Sequence, residues 1–105
     1  MSSDEIRIRW SEGERTFAPG TVVRIGRDLD AEVQPSNANV SRRHAELQHD
    51  GTGWIVRDVG SAQGTWHDGR RVEQLTVSGP LSLSLGREGA GEVVELGVEA
   101  APAPG

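Results

Sequence analysis

An all-β sandwich is the fold class this sequence predicts, and three observations predict it. Apolar residues recur at every second position along most of the chain, the period of a half-buried strand. No window of helical length carries apolar residues at helical spacing. Gly, Pro, Asn and Asp punctuate the apolar runs at short intervals, and the 14 glycines suit a turn-rich chain. A barrel of the same short strands is the alternative closure.

The elements follow in order. Ile6, Ile8 and Trp10 alternate with arginines in a first strand. "RTFAPGTVVRIG" carries two short apolar runs around the turn dipeptide Pro19-Gly20. "HAELQHD" alternates until "DGTG" at residues 50–53, a hairpin signal, and "WIVRDV" is the returning strand. "GTWHDGRRV" is a second hairpin, with Asp68-Gly69 suited to a two-residue turn. Leu81, Leu83 and Leu85 alternate with serines, and "EVVELGV" completes the set. Trp10, Trp54 and the leucines of 81–85 are expected in the core.

Composition narrows the chemistry. At 105 residues with 34% apolar content, the chain is one small domain with a lean core. It has no cysteine, which removes disulfides, thiolate catalysis and Cys-type zinc sites. All 11 basic residues are arginine, so lysine-dependent phosphate loops, Schiff bases and lysine general bases are excluded. What remains is the planar guanidinium, suited to forked contact with carboxylate or phosphate. The net charge of −5 argues against a general nucleic-acid or anionic-membrane binder. No apolar run is long enough to span a bilayer. Residues 1–5 are expected to be disordered, 6–98 to form the domain, and the Ala/Pro-rich 99–105 to be a linker or tail. The chain is thus expected to be the N-terminal domain of a larger protein, either cytoplasmic or membrane-attached with this domain in the cytosol.

Three loop segments stand apart from this scaffold: "IGRD" (25–28), "NVSRRH" (39–44) and "DVGSAQGTW" (58–66). Each ends a predicted strand, and the loops at one end of a sandwich are where binding sites are built. Gly26 permits a tight backbone beside Arg27, which otherwise pairs with Asp28 or Asp30. Ser41 offers a hydroxyl and Arg42 a guanidinium, a good donor set for phosphate. Arg42 and Arg43 are neighbours on a strand entrance and point to opposite sides. His44 reads as a structural hydrogen-bonder tying two loops together. Gly64 bends the polar turn from Ser61 to Thr65.

Gly-Arg, then Ser-Arg-x-His, then Ser-x-x-Gly-Thr, in an all-β chain of this size, resembles the forkhead-associated (FHA) domain. The resemblance spans roughly residues 6–98. It implies a sandwich of about eleven short, mostly antiparallel strands with ligand loops at one end, which binds phosphothreonine peptides and catalyses nothing. It further implies phosphate contacts from the Arg27 guanidinium and the Ser41 hydroxyl, with Arg42 as a second basic contact. Gln63 and Ala62 would meet the ligand, while Gly26, His44, Gly64 and Thr65 would support the loops. No role transfers to Arg43. The family usually has asparagine where this chain has Gln63; the longer amide is expected to weaken or alter the grip on the ligand backbone. Val40 and Ala62 are candidate walls for the threonine methyl, and loops 35–39 and 73–80 for selecting flanking residues.

The implied partner is a phosphothreonine-containing segment of a kinase, of a kinase substrate or of the chain itself. No nucleic acid, direct membrane contact, cofactor or metal is expected, and the module is expected to be monomeric. A hydrolase set of Ser41, His44 and Asp58 or Ser61 lacks a nucleophile elbow. A metal site from His44, His49 and His67 lacks ligand spacing. "GREGAG" (86–91) is more simply a hairpin loop than a nucleotide loop. The remaining rival is a domain of this fold that binds its partner without phosphate.

Overall fold

Alternation of buried and exposed residues builds the scaffold. In the computed structural model, which describes residues 5–99, ten strands form: β1 (Glu5–Trp10), β2 (Gly13–Phe17), β3 (Val23–Ile25), β4 (Ala45–His49), β5 (Trp54–Asp58), β6 (Thr65–His67), β7 (Arg70–Val72), β8 (Gln74–Val77), β9 (Leu81–Leu85) and β10 (Glu92–Glu99). Six make one sheet in the order β2-β1-β10-β9-β6-β7, and four make the other in the order β3-β4-β5-β8. Every paired strand is antiparallel. No helix occurs among the described residues.

The core lies between the sheets. Ile6, Ile8, Leu83, Leu85, Val94 and Leu96 come from the larger sheet, and Val23, Ile25, Leu47, Trp54 and Val56 from the smaller. These are the alternating positions expected from the sequence, and burial of each such side chain contributes about 1.5–3 kcal/mol. Trp54 is fully buried, with the ring of His49 meeting it edge-on at 5.6 Å. Trp10 and Leu81 are only partly buried, at the margin of the cluster. Ser84 departs from simple alternation. It is buried opposite Trp66, and its hydroxyl donates to the Gly86 carbonyl at 2.6 Å.

Both predicted hairpins form. Asp68 (φ 51°) and Gly69 (φ 78°) supply the two positive angles of a type I′ turn between β6 and β7. Between His49 and Trp54, the Asp50 carboxylate accepts from the Thr52 amide and hydroxyl and the Gly53 amide. Those donors hold its pKa down at about 2.

About eleven strands were expected, and the segment after β3 shows where regular pairing stops. Val33 meets Ile25 in an isolated parallel bridge, and Pro35, lacking an N–H, cannot extend it. The outermost pair, Glu5 with Glu99, lies one residue beyond each limit of the expected 6–98 domain. The remaining residues of the expected flexible start and Ala/Pro tail lie outside the described residues.

Candidate functional site

The end of the sandwich beyond Ile25, Asp58 and Leu85 is assembled from three loops that share hydrogen bonds. The first contact is backbone to backbone. The Arg27 and Asp28 amides donate to the Ser41 and Arg42 carbonyls, both at 3.1 Å, and the His44 amide donates to the Ile25 carbonyl at 3.0 Å. Segments 25–28 and 41–44 are thereby sewn together. Gly26 makes this possible: a Cβ there would stand 2.0 Å from the Arg42 carbonyl oxygen.

Arg27 is exposed, and its Nε donates to the Val40 carbonyl. The guanidinium is thus laid along segment 40–41. Its two terminal nitrogens have no partner among the described residues. Pairing with Asp28 or Asp30, the bland alternative for Arg27, does not occur; Asp28 instead lies 4.0 Å from the Arg43 Nε. Ser41 Oγ accepts the Ala62 amide at 3.0 Å, linking the 39–44 and 58–66 segments at the hydroxyl itself.

His44 makes the second link between those segments. Its Nδ1 accepts the Ser41 amide at 3.1 Å, which leaves Nε2 to donate to the Gly64 carbonyl at 2.8 Å. The ring is wholly buried, and desolvation lowers its pKa; the bond to Gly64 and the charge of Asp58 only partly oppose this. The imidazole is therefore a neutral strut. The Gly64 carbonyl also accepts the Gly86 amide at 2.8 Å, so the β9–β10 loop joins the same end. Asn39 Nδ2 secures that loop again by donating to the Ala90 carbonyl at 2.8 Å.

Asp58 organises the 60–64 turn. Its Oδ1 accepts the Gly60 and Ser61 amides, both at 2.9 Å, and its Oδ2 accepts the Ser61 and Thr65 hydroxyls. Burial works against its charge, but these four donors outweigh it and hold the carboxyl below the usual range. Ser61 Oγ in turn accepts the Gly64 amide at 3.0 Å. Thr65 is buried against this network, whereas Ala62 and Gln63 are exposed on the turn. Gln63 also contributes its carbonyl, which accepts Trp66 Nε1 at 2.9 Å.

Both shifts have one consequence for stability. Folded His44 binds its proton less readily than unfolded His44, so its contribution is full above 6.5 and declines as pH falls below that value. Asp58 adds a loss of the same sign below 3.8. The urea midpoint is expected to fall between about pH 7.5 and about pH 5.5, and the fall to shrink in His44→Gln. An identical pH slope in that variant would contradict the assignment.

Of the residues singled out from sequence, Gly26, Arg27, Ser41, Ala62, His44, Gly64 and Thr65 belong to one connected network. Arg42 joins it through its carbonyl, and its exposed side chain has no hydrogen-bond or ionic partner among the described residues. The cleft that Arg42 lines, of about 400 Å³, is shared with Arg24, Asp28, Arg43 and Glu46 rather than with Arg27 or Ser41. Val40 cannot form a wall for a ligand methyl, because it is 0% exposed in the core. Nor can the whole 73–80 stretch flank the site. Glu73 lies at this end, beside Asp58, but Val77 pairs with Trp54, which puts 78–80 at the opposite end of β5. Sequence reasoning missed the β9–β10 loop and the role of Asp58. Only the Asp-x-x-Ser spacing, typical of side-chain-capped turns, hinted at the second.

A β-sandwich whose joined loops at one end present guanidinium, hydroxyl and amide groups to solvent is a recognition domain by class. Residues 23–87 match the family description "FHA domain", and the chain belongs to the FHA domain family. The ABC transporter ATP-binding/permease protein Rv1747 of Mycobacterium tuberculosis is 35% identical over 81 residues, covering 77% of this chain. The crystal structure of Rv1747 FHA-1 from the same organism superposes with a TM-score of 0.86 at 31% identity, covering 93% of this chain and 98% of that one. The FhaA FHA domain, solved in complex with the intracellular domain of Rv3910, superposes with a TM-score of 0.69 at 26% identity, covering 90% and 99%. The chain spans only 9% of the length of the Rv1747 transporter. No helix among the described residues is long and apolar enough to cross a membrane.

Proposed function

We propose that this domain binds a phosphothreonine-containing protein segment in serine/threonine-kinase signalling, on the cytoplasmic side and without catalysing a reaction. The observation that carries this reading is the placement of the Arg27 guanidinium and the Ser41 hydroxyl on loops fastened to one another and to the Ala62 amide. Arg27 retains terminal N–H groups for an anion, and the Ser41 hydroxyl, which accepts from Ala62, keeps its own proton to donate. Phosphothreonine brings a charge near −1.5 to −2 and three acceptor oxygens. Charge-assisted hydrogen bonds contribute about 1.5–3 kcal/mol each, so three supply most of the −8 kcal/mol of a micromolar complex. Arg42 adds a second cation, and Gln63 reaches the ligand backbone with a looser grip than a shorter amide would give. The FhaA FHA domain, 26% identical to this chain, is complexed with the intracellular domain of Rv3910, which supports recognition of a protein partner.

The test is a titration with one threonine peptide in phosphorylated, unphosphorylated and phosphoserine forms, followed by backbone amide shifts. Shifts at Arg27, Ser41 and Ala62 are expected with phosphothreonine alone at micromolar concentration, and weaker binding below the second phosphate pKa near 6. Equal responses to all three forms would establish phosphate-independent binding instead.

A further inference from the structure

A pair of arginines adjoins the candidate site, outside the side-chain hydrogen bonds that join its loops. Beside the 60–64 turn lies a cleft of about 660 Å³ lined by Arg57, Asp58, Gly60, Arg71, Val72, Glu73 and Gln74. Arg57 projects from β5 and Arg71 from β7, so the two cations come from different sheets. Both are exposed, and neither has an ionic partner among the described residues.

The position of Arg71 follows from Gly64. A Cβ on Gly64 would stand 2.7 Å from Arg71 Nε and 3.1 Å from its Cδ, so the arginine stem rests on the bare glycine. Trp66 flanks it: the two residues are paired across the β6–β7 hairpin, and Trp66 Nε1 is held by the Gln63 carbonyl. The guanidinium of Arg71 is therefore anchored beside Gly64, one residue from Gln63 and two from Ala62, the exposed tip expected to meet the ligand backbone.

The two carboxylates lining the cleft balance the two arginines in formal charge but differ in the contacts they leave open. Both oxygens of Asp58 are occupied by the Gly60, Ser61 and Thr65 donors. Glu73 is exposed and faces the same space. Asp58 thus keeps its charge with both oxygens engaged, while the guanidinium N–H groups of Arg57 and Arg71 stay open beside the turn along which an extended peptide would pass.

We infer that the Arg57–Arg71 cleft is a specificity subsite for a second anionic side chain of the bound peptide, a carboxylate or another phosphate. This deepens the phosphothreonine reading and rests on it. Guanidinium forks bind either anion, and the phosphate carries the larger charge.

The experiment uses a phosphothreonine peptide with otherwise neutral residues, and derivatives carrying one aspartate or one second phosphothreonine at successive positions on either side. At one position an aspartate is expected to tighten binding about fivefold and a second phosphothreonine about tenfold or more, with a steep salt dependence. Arg57→Gln with Arg71→Gln should remove both increments and leave the neutral peptide's affinity unchanged, and Glu73→Gln should enlarge them. A gain from the second phosphothreonine without one from aspartate would assign the subsite to phosphate. If the neutral peptide binds but no position gives an increment, or the increment survives the double substitution, the subsite is refuted alone. If no phosphothreonine peptide binds, the parent reading falls with it.

Discussion

Arg27→Ala or Ser41→Ala is expected to lower affinity for a phosphothreonine peptide by about 100-fold while leaving the thermal midpoint within a few degrees of the parent. The size follows from charge-assisted bonds: losing one of them, at about 1.5–3 kcal/mol, removes a factor of about ten to about 150. The mildness of the effect on the fold follows from exposure. Arg27 is exposed, and removing it frees the Val40 carbonyl without opening a void. Ser41→Ala frees the amide of Ala62, an exposed residue that water can satisfy. Arg42→Ala is expected to cost less, since its side chain has no partner among the described residues and must be ordered on binding. Calorimetric titration of the three variants checks the ranking. Parent-like affinity in Arg27→Ala or Ser41→Ala would refute the site.

The second large effect is on folding. Gly26→Ala is expected to destabilise the domain by at least about 3 kcal/mol, against a total near 5–15 kcal/mol for a domain of this kind. The new methyl would overlap the Arg42 carbonyl at 2.0 Å and the Ser41 carbonyl at 3.0 Å. Both are backbone atoms that accept the Asp28 and Arg27 amides, so relief requires breaking those bonds. A urea melt compared with Gly20→Ala, where a Cβ meets nothing within 4 Å, isolates the clash from loss of glycine entropy. Equal stability of the two variants would show that the two segments separate freely. A partly folded Gly26→Ala chain is also expected to lose phosphopeptide binding, because Arg27 is aimed by the bonds that the methyl disrupts.

Individual residues show how far local reading reached. Ile6, Ile8, Leu47, Leu83 and Leu85 were legible as core because a strand turns alternate side chains to one face, and each is buried. Asp68-Gly69 was legible as a turn because few dipeptides tolerate two positive φ angles. His44 was read as a tie between loops from its neighbours alone, but its partner Gly64 lies twenty positions on. No local rule selects that carbonyl. Val40 was misread as a ligand wall because, outside regular alternation, sequence does not say which way an apolar residue faces. The flank was placed at 73–80 because strand direction was not yet known. Once β5 and β8 pair antiparallel, the 78–80 connection must fall at the far end, and Leu85 carries the next loop to the near one.

By itself, then, the sequence determined the all-β class, the two hairpins, the apolar faces and the types of group available to an anion, because these depend on neighbours one to four positions apart. Only the tertiary structure decided that Arg27, Ser41 and Ala62 share one hydrogen-bonded end, that Asp58 shapes the turn, and that Arg57 and Arg71 line one cleft. Those relations join residues from different strands and from both sheets. They are set by register and sheet order, which depend on the packing of the whole core.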